Sequence, residues 1–541
     1  MLFNSYEFVF AFLPATVAGF LLFGMASRTW ALAWLIVASI FFYAWWRPFN
    51  LLIIGPSIIV NFTFARALLR LARDESRPRL RMFVLALGIF FNIALLGYFK
   101  YANFAVAATN DLTGSNFVLE QIILPLGISF ITFQKIAFLV DVAGGRVESF
   151  TTRDFCLFVL FFPPLIAGPI VHYRELIPQF RQVTCRFNAD MFAVALTLFC
   201  FGLFKKVVLA DGIAQYVSPV FSFAAGGGTV TLVQAWLAAV GFTLQIYFDF
   251  SGYSDMACAA ALFFGVRLPL NFYSPLKASN IIDFWLRWHV TLTRFLTAYV
   301  YNPIALALSR RRGARGLSML SGRGSNFGAF FHVLAWPTLA TMLVSGVWHG
   351  AGYTFILWGL LHGGYLIVNH AWRQYGPRSP DPKGVGARFA TVGAVALTFL
   401  VVVLAMVLFR APDIGSAVNI IKGMLGLQGL GLSSRVAEIV GAPGLGSVAA
   451  QGDQMPMQLS VMAAVYVAGL LAIALLLPNS LEVLSSYEPA LHIPKRSSAL
   501  FFFDRPIYWR PTLPWMAFTA VLAAHSMMQM TGKSEFLYWQ F

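Results

Sequence analysis

The chain has 541 residues, of which 59% are hydrophobic and only 11% are charged, and its mean hydropathy is +0.73. These values lie far outside the range of soluble proteins and exclude a set of soluble domains. The 38 lysines and arginines exceed the 22 acidic residues and give a net charge of +16, but they stand in short clusters between apolar stretches. This distribution is typical of cytoplasmic loops of a membrane protein, so nucleic acid is not expected as a partner.

Apolar windows long enough to cross a bilayer, which takes about 20 residues, recur along the whole chain. They begin near Phe8, Trp30, Leu51, Met82, Ile122, Phe155, Met191, Leu232, Phe331, Tyr353, Phe389, Leu459 and Leu513. The sequence therefore predicts an all-α polytopic membrane protein, a single domain over residues 1–541, with roughly eleven to thirteen membrane segments. The first window lacks the basic flank of a cleavable signal and is expected to be retained.

The arginine-rich loop at residues 70–81 is the densest basic segment between the early windows. Because such loops stay on the cytoplasmic side, the loop at residues 46–50 and the N-terminus are expected outside.

Proline and glycine interrupt three later apolar stretches, namely LPLGISF at residues 124–130, FFPPLIAGP at 161–169 and SGVWHGAG at 345–352. A break at membrane depth exposes backbone groups that hydrocarbon cannot satisfy, so it persists only inside the protein or beside a wet cavity. These breaks therefore predict the neighbourhood of a site.

Two acids, Asp249 and Asp255, stand in the nearly apolar stretch IYFDFSGYSDMA and cannot face lipid. One interpretation is that they hold a histidine or arginine of a site in place. The other, which we favour, is that they are structural partners of Arg267 or Arg287.

The stretch ASNIIDFWLRWHVTLTR at residues 278–294 predicts one amphipathic helix that begins at the capping residue Asn280. Asp283 and Arg287 share one face of this helix, and His289 lies on the adjacent face. The arginine is expected to extend towards lipid headgroups rather than to bind substrate. For His289, a structural and a functional role are equally open.

His349 is flanked by Gly346, Gly350 and Gly352 in a stretch rich in tryptophan, phenylalanine and leucine. An ionisable ring there is costly without a function, and the glycines allow a substrate or another backbone to approach it closely. His349 is therefore the best candidate for a general base, the alternative being a packing histidine bonded to a carbonyl. His362 would lie about 20 Å away on one continuous helix and is predicted to be structural.

The four cysteines show no CxxC spacing and three of them fall in apolar stretches, so neither a disulfide framework nor a zinc site is indicated. No metal is predicted.

In their order along the chain, YFDFSGYSDMA, RWH and WHG resemble the bacterial branch of the membrane-bound O-acyltransferase (MBOAT) family, which handles alginate O-acetylation and D-alanine transfer to teichoic acids. The likeness covers nearly the whole chain. It implies a ring of tilted helices around a central funnel, in which a cytosolic donor and an external acceptor meet at a buried histidine. It also implies that His349 of WHG and His289 of RWH are catalytic.

Asp249, Asp255, Arg287, Trp288 and Trp348, which lie in or beside these motifs, are further candidates for supporting or substrate-binding roles. The resemblance implies a multi-pass enzyme of the bacterial inner membrane, surrounded by lipid, that moves an acyl group towards an extracellular or periplasmic polysaccharide. Transfer is expected to be direct or through a periplasmic partner transferase. The acyl group is expected to be acetyl, with acetyl-CoA as the donor substrate and no bound cofactor. One general base suffices for this chemistry because a thioester is already activated.

Two other functions account for the same broken helices and buried charges. A secondary transporter shares these features, although no inverted repeat is visible in the sequence. A subunit that translocates an acylated carrier without catalysis is the second.

For a CoA donor, Lys205 and Lys206 or the arginines at residues 310–315 are candidates for an electropositive entrance. The alternative is that these charges only set the topology.

Overall fold

The computed structural model of the chain describes residues 1–74, 76–320, 324–377, 385–431, 457–494, 507–530 and 537. Within these ranges the chain is helical and forms no β-strand. The helices are α1 (Leu13–Ala26), α2 (Arg28–Ala44), α3 (Leu51–Arg73), α4 (Pro78–Leu96), α5 (Ala102–Thr113), α6 (Ile128–Ala143), α7 (Thr152–Leu160), α8 (Phe162–Leu165), α9 (Tyr173–Gln182), α10 (Ala189–Phe204), α11 (Asp211–Ala225), α12 (Leu232–Leu262), α13 (Ile281–Trp285), α14 (Val290–Leu296), α15 (Asn302–Ala314), α16 (Phe327–Phe330), α17 (Trp336–His349), α18 (Tyr353–Tyr375), α19 (Val385–Arg410), α20 (Ile414–Met424), α21 (Met457–Leu476), α22 (Ser480–Val483) and α23 (Leu513–Gln529). Wider π-helical turns precede α1 and join four helix pairs, at Glu7–Phe12, Gly97–Tyr101, Lys205–Ala210, Thr297–Tyr301 and Phe331–Ala335.

Several helical segments are long and apolar enough to cross a membrane, which confirms the predicted all-α polytopic membrane protein. There are 6 in the part of the chain that the structure describes: Glu7–Ala26, Pro48–Arg73, Pro78–Thr113, Ala189–Ala225, Phe327–His349 and Phe389–Arg410. Two shorter apolar helices lie at Arg28–Ala44 and Val461–Leu476. Other predicted windows coincide with helices outside this set, such as α6 and α12, so the number of crossings stays a prediction.

Helix α12 forms the centre of the molecule, because every residue from 241 to 262 is buried. It packs against α10, α11, α19, α20 and α21. The backbone of α10 comes so close that a Cβ atom added to Gly202 would lie 2.6 Å from the carbonyl oxygen of Gly252. Small residues permit such contact between membrane helices. A helix that is buried on all sides carries its acidic side chains into the interior, where they require partners.

All three predicted breaks are present. Residues 114–127 lie outside helices and end at Gly127, whose φ of +66° precedes the start of α6. The chain leaves helical structure again after α8, where residues 166–171 are buried. The third break separates the last residue of α17, His349, from the first residue of α18, Tyr353. Residues 123–130, Ile166 and His349 line one cavity, so the three breaks converge on a common site.

The prediction of one helix over residues 278–294 is wrong. Asn280 does cap a helix, since its side-chain oxygen accepts the N–H of Asp283 at 3.0 Å. That helix, α13, ends at Trp285, and the next one, α14, begins only at Val290.

A neighbouring extended segment accounts for this interruption. The N–H of Val290 donates to the carbonyl of Asn271 at 2.9 Å, and the N–H of Tyr273 donates to the carbonyl of Arg287 at 2.9 Å. These long-range bonds replace helical ones. They hold His289 in the left-handed region, with φ at 44°, a conformation that costs a non-glycine residue about 1–3 kcal/mol.

Candidate active site

His289 is fully buried and held by a polar network from the segment beside it. Its Nδ1 lies 3.0 Å from Oδ1 of Asn271, and the hydroxyl of Thr291 donates to the same oxygen at 2.8 Å. The amide nitrogen of Asn271 donates to Oγ of Ser254 at 3.1 Å. Because Oδ1 can only accept, Nδ1 of His289 carries the proton and Nε2 holds the lone pair.

His349 is the last residue of α17, and the carbonyl groups at this helix end are bonded by another helix. The hydroxyl of Tyr101 donates to the carbonyl of Val347 at 2.7 Å. The ammonium group of Lys100 donates to the carbonyls of Trp348 and, at 3.0 Å, His349. A cation at a helix C-terminus satisfies orphan carbonyls and complements the helix dipole. The π-helical turn Gly97–Tyr101 therefore fixes where α17 ends, and with it the position of the His349 ring.

Aromatic rings enclose the imidazole of His349. Its ring centroid lies 4.9 Å from that of Trp348, 5.1 Å from Trp358 and 5.3 Å from Phe409. The ring of His289 is 6.3 Å away. The structure thus brings together the two histidines that were predicted to be catalytic, although 60 positions separate them along the chain.

The glycines near His349 let helices approach each other. A Cβ atom at Gly346 would lie 2.3 Å from the carbonyl oxygen of Phe355 and 3.1 Å from Cα of Gly359. One at Gly350 would lie 2.2 Å from the ring of Phe355. The close approach of another backbone, one of the two predicted reasons for these glycines, is therefore provided by α18.

The packing of α18 against α17 brings His362 closer to His349 than one continuous helix would, whereas the structural role of His362 stays a prediction. On a continuous helix it would lie about 20 Å from His349, but the chain turns between Gly350 and Gly352. The indole of Trp358 consequently contacts both imidazoles, with its ring centroid 5.1 Å from His349 and 4.8 Å from His362.

A cavity of about 290 Å³ opens beside His349 and is called the His349 cavity below. Besides the three helix breaks, its lining includes Arg47, Asn50, Lys100 and Trp348. Arg47 is exposed at the loop of residues 46–50, which is predicted to be external. The cavity therefore connects the buried histidine with that side of the protein.

Asp249 and Asp255 form buried ion pairs with two adjacent lysines of a π-helical turn. Asp249 lies 2.6 Å from Nζ of Lys206, and Asp255 lies 2.7 Å from Nζ of Lys205. The predicted partners Arg267 and Arg287 are wrong. Since both ammonium groups are neutralised by acids, the lysines are poorly suited to attract CoA phosphates.

The two arginines bind elsewhere. Arg287 pairs with Asp283 at 2.8 Å, four residues earlier, and Nε of Arg267 donates to the carbonyl of Glu488 at 2.7 Å. Helical spacing had placed Asp283 and Arg287 on one face, and this pairing survives the break that follows.

Trp288 and Trp348 have different surroundings. Trp288 stacks on Phe284 with ring centroids 5.6 Å apart and packs edge-on against Phe272 at 5.1 Å, so it supports the segment that carries His289. Trp348 stacks on Phe133 at 5.0 Å and lines the His349 cavity. Of the two, Trp348 is the one in a position to contact a substrate.

Comparisons with known proteins decide the family. A sequence model of the MBOAT, membrane-bound O-acyltransferase, family matches residues 145–336. The chain is 38% identical over 464 residues to the peptidoglycan O-acetyltransferase of Helicobacter pylori, and the match covers 80% of this chain and 81% of that protein. The chain belongs to the membrane-bound O-acyltransferase family.

Two further relatives belong to the branches that the motifs had indicated. The acyltransferase is 36% identical to the probable alginate O-acetylase AlgI of Pseudomonas aeruginosa, over 78% of this chain and 75% of that protein. It is 27% identical to the teichoic acid D-alanyltransferase of Streptococcus thermophilus, over 51% of this chain and 67% of that protein. The predicted family and the predicted O-acyltransferase activity are confirmed.

Sequence reasoning missed two residues of the candidate site, Asn271 and Lys100. Lys100 is the one basic residue in the apolar stretch from 82 to 113, and an isolated charge at membrane depth is a signal for function. No comparable signal marks Asn271, because its role depends on the packing of one segment against another.

No group of three or more histidine, cysteine or acidic side chains is placed to hold a metal ion in the ranges that the structure describes. The absence of a metal stays a prediction. The candidate site brings one histidine of defined tautomer and a second beside a cavity into the same interior space.

Proposed function

We propose that this acyltransferase moves an acetyl group from acetyl-CoA, supplied on the cytosolic side of the bacterial inner membrane, towards a cell-surface polysaccharide. Transfer is direct or passes through a periplasmic partner transferase. The names of two relatives support a polysaccharide acceptor, since one is a peptidoglycan O-acetyltransferase and the other a probable alginate O-acetylase. Both relatives that carry acetyl in their names share more identity with this chain than the D-alanyltransferase does.

The position of His349 carries the proposal. Its ring lies among buried aromatic side chains while the residue lines a cavity that reaches the loop at residues 46–50. An acceptor hydroxyl that enters this cavity meets the imidazole before it meets any acidic side chain, because the cavity lining contains none.

In the proposed reaction, His349 is the general base that takes the proton of the acceptor hydroxyl. The freed oxygen then attacks the thioester carbonyl carbon. General-base assistance of this kind contributes about 10²- to 10⁴-fold to the rate. The proton goes to the thiolate that leaves, so the imidazole is neutral again after each turnover.

His289 positions the acceptor in this scheme. Asn271 bonds Nδ1 and fixes the ring, whose centroid lies 6.3 Å from that of His349. At this distance the imidazole of His289 contacts the acceptor and orients its hydroxyl towards His349. A positioning role predicts a large but incomplete loss of turnover when the ring is removed.

The donor entrance is assigned to the basic end of α15, where Arg310, Arg311 and Arg312 lie together. Replacing all three by glutamine should raise the KM for acetyl-CoA, and most strongly at low salt where screening is weakest. An unchanged KM at every ionic strength would place the entrance elsewhere.

Turnover by the purified protein tests the proposed function. The protein is reconstituted in lipid nanodiscs with radiolabelled acetyl-CoA, and free CoA and labelled acceptor oligosaccharide are measured with and without a periplasmic transferase. Thioester cleavage that His349→Ala abolishes is the expected result. A transporter or a carrier-translocating subunit would bind or move its ligand without cleaving the thioester, and wild-type protein without turnover would reject the proposal.

A further inference from the structure

Three buried side chains next to His349 have polar atoms without a hydrogen-bond partner among the described residues. They are Trp285, Trp358 and His362, called the tryptophan–histidine cluster below. The unpaired atoms are Nε1 of both indoles and both ring nitrogens of His362. The residues are 6%, 1% and 0% exposed, respectively, so solvent does not satisfy these atoms from the surface.

The cluster is compact and reaches His349 through one member. Ring centroids of Trp285 and His362 are 5.2 Å apart, and those of Trp285 and Trp358 are 5.9 Å apart. Trp358 contacts the ring of His349 edge-on at 5.1 Å. A molecule bound to these polar atoms therefore lies beside the proposed general base.

Unpaired polar atoms in the protein interior are costly. Leaving a buried donor or acceptor unpaired costs about 1–3 kcal/mol for each group, and native proteins pair roughly nine in ten of them. Four such atoms on three side chains in mutual contact indicate that a polar molecule bonds to the cluster.

The kinds of atoms define what that molecule must offer. An indole N–H only donates, and a neutral imidazole offers one donor and one acceptor. Two indoles and one imidazole thus offer three hydrogen-bond donors and one acceptor. This excess of donors suits a carbonyl oxygen. It suits the oxygen still better when negative charge develops on it.

None of the three members of the cluster lines the His349 cavity. Helix α18 runs from Tyr353, beside that cavity, past His362 to Arg373, which donates to Oδ1 of Asn280 at 3.1 Å. His362 lies about 13 Å along this helix from Tyr353. The cluster therefore contacts His349 through a side chain, Trp358, that is not part of the cavity lining.

We propose that the tryptophan–histidine cluster binds the carbonyl oxygen of the acyl thioester, with the indole N–H of Trp358 as the principal donor. This inference rests on the proposed function. As the acceptor oxygen bonds to the carbonyl carbon, the carbonyl electron pair moves onto oxygen and is stabilised by the N–H group. Collapse of this tetrahedral oxyanion breaks the carbon–sulfur bond, and the leaving thiolate takes the proton held by His349.

Trp358→Phe tests this role because it removes the N–H and keeps an aromatic ring. Loss of one such donor should lower kcat by about 10²- to 10³-fold. Trp372→Phe is the matched control, since Trp372 lies on the same helix and is 62% exposed. His362→Phe should also lower kcat, whereas His362→Gln, which keeps a donor and an acceptor, should retain more activity.

A CoA ethyl thioether, which lacks the carbonyl oxygen, separates this role from simple packing. It should inhibit Trp358→Phe and wild type with equal strength, because the lost contact is to an oxygen that it does not possess. The inference is overturned if Trp358→Phe and Trp372→Phe have the same kcat, as expected for a cluster that holds ordered water only, or if thioether binding weakens in parallel with kcat.

Two further outcomes are distinguishable from these. Should Trp358→Phe fail to accumulate, Trp285→Phe and His362→Phe carry the same comparison, and unchanged kcat in both would overturn the inference. Wild-type protein that does not cleave acetyl-CoA would reject the proposed function and, with it, the ligand assigned to the cluster.

Discussion

Asn271 determines the tautomer of His289. Its side-chain oxygen lies 3.0 Å from Nδ1 and accepts a hydrogen bond, so Nδ1 is the nitrogen that carries the proton. The same oxygen accepts the hydroxyl of Thr291 at 2.8 Å. These two bonds and the left-handed backbone of His289 leave the imidazole a single defined orientation.

Replacing Asn271 by alanine should therefore impair turnover without removing either histidine. A ring that rotates or changes tautomer loses its alignment with the substrate, which costs on the order of 10²-fold in kcat. Acetyl-CoA turnover per folded molecule measures the effect. Asn302→Ala, at an exposed position of α15, is the control, and equal kcat in both variants would contradict the assignment.

The two histidines should differ in the size of their effects. His349→Ala should reduce turnover by at least about 10²- to 10⁴-fold, the usual contribution of a general base. His289→Ala should leave measurable residual activity because it positions the substrate. His332→Ala, at an exposed histidine of the segment that precedes α17, controls for the substitution itself. Wild-type rates in either site variant would remove that residue from the mechanism.

Lys100 should stabilise the end of α17 and, through it, the position of His349. Lys100→Met removes the charge-assisted hydrogen bonds to the carbonyls of Trp348 and His349, each worth roughly 1.5–3 kcal/mol. Both the thermal unfolding midpoint in detergent and kcat should fall. Lys100→Arg keeps the charge, so its unfolding midpoint and its kcat should fall less than those of Lys100→Met. An identical loss in the two variants would argue against the capping role.

The Lys206–Asp249 pair should contribute to folding rather than to chemistry. Each side chain is 2% exposed, and removing one partner of a buried pair costs up to roughly 3–5 kcal/mol, here reduced because Lys206 keeps a second partner, Asp211, at 2.8 Å. Asp249→Leu should therefore lower accumulation of the protein but not kcat per folded molecule. Lys206→Met with Asp249→Leu should recover part of the loss, and strict additivity of the two single effects would show that the pair is not coupled.

Labelling of single-cysteine variants tests the orientation. With the four native cysteines replaced, Ser76→Cys in the arginine-rich loop should react only with membrane-permeant maleimide. Phe49→Cys, at a side chain that is 67% exposed beside the mouth of the His349 cavity, should react with an impermeant reagent added from outside. The reverse pattern would invert the topology and place the cavity on the cytosolic side.

Features that depend on short stretches of chain are predictable from the amino-acid sequence. Apolar length predicts a polytopic helical protein, and proline and glycine predict the three breaks, because bilayer thickness and backbone geometry act locally. The RWH and WHG motifs identified His289 and His349 for the same reason. Spacing also placed Asp283 and Arg287 on one helix face, because four residues span about one turn, although their ion pair was not predicted.

Contacts between groups that are distant along the chain depend on the tertiary structure. Several basic residues were equally suitable in charge for Asp249 and Asp255, and only the packing of α10 and α11 against α12 selects Lys205 and Lys206. Helix geometry separated His349 from His362, whereas the turn between α17 and α18 brings Trp358 into contact with both. Asn271 and Lys100 act through backbone and side-chain contacts across 18 and 249 positions, respectively, which no local pattern specifies. Such contacts depend on how whole helices pack, and packing is a property of the complete chain.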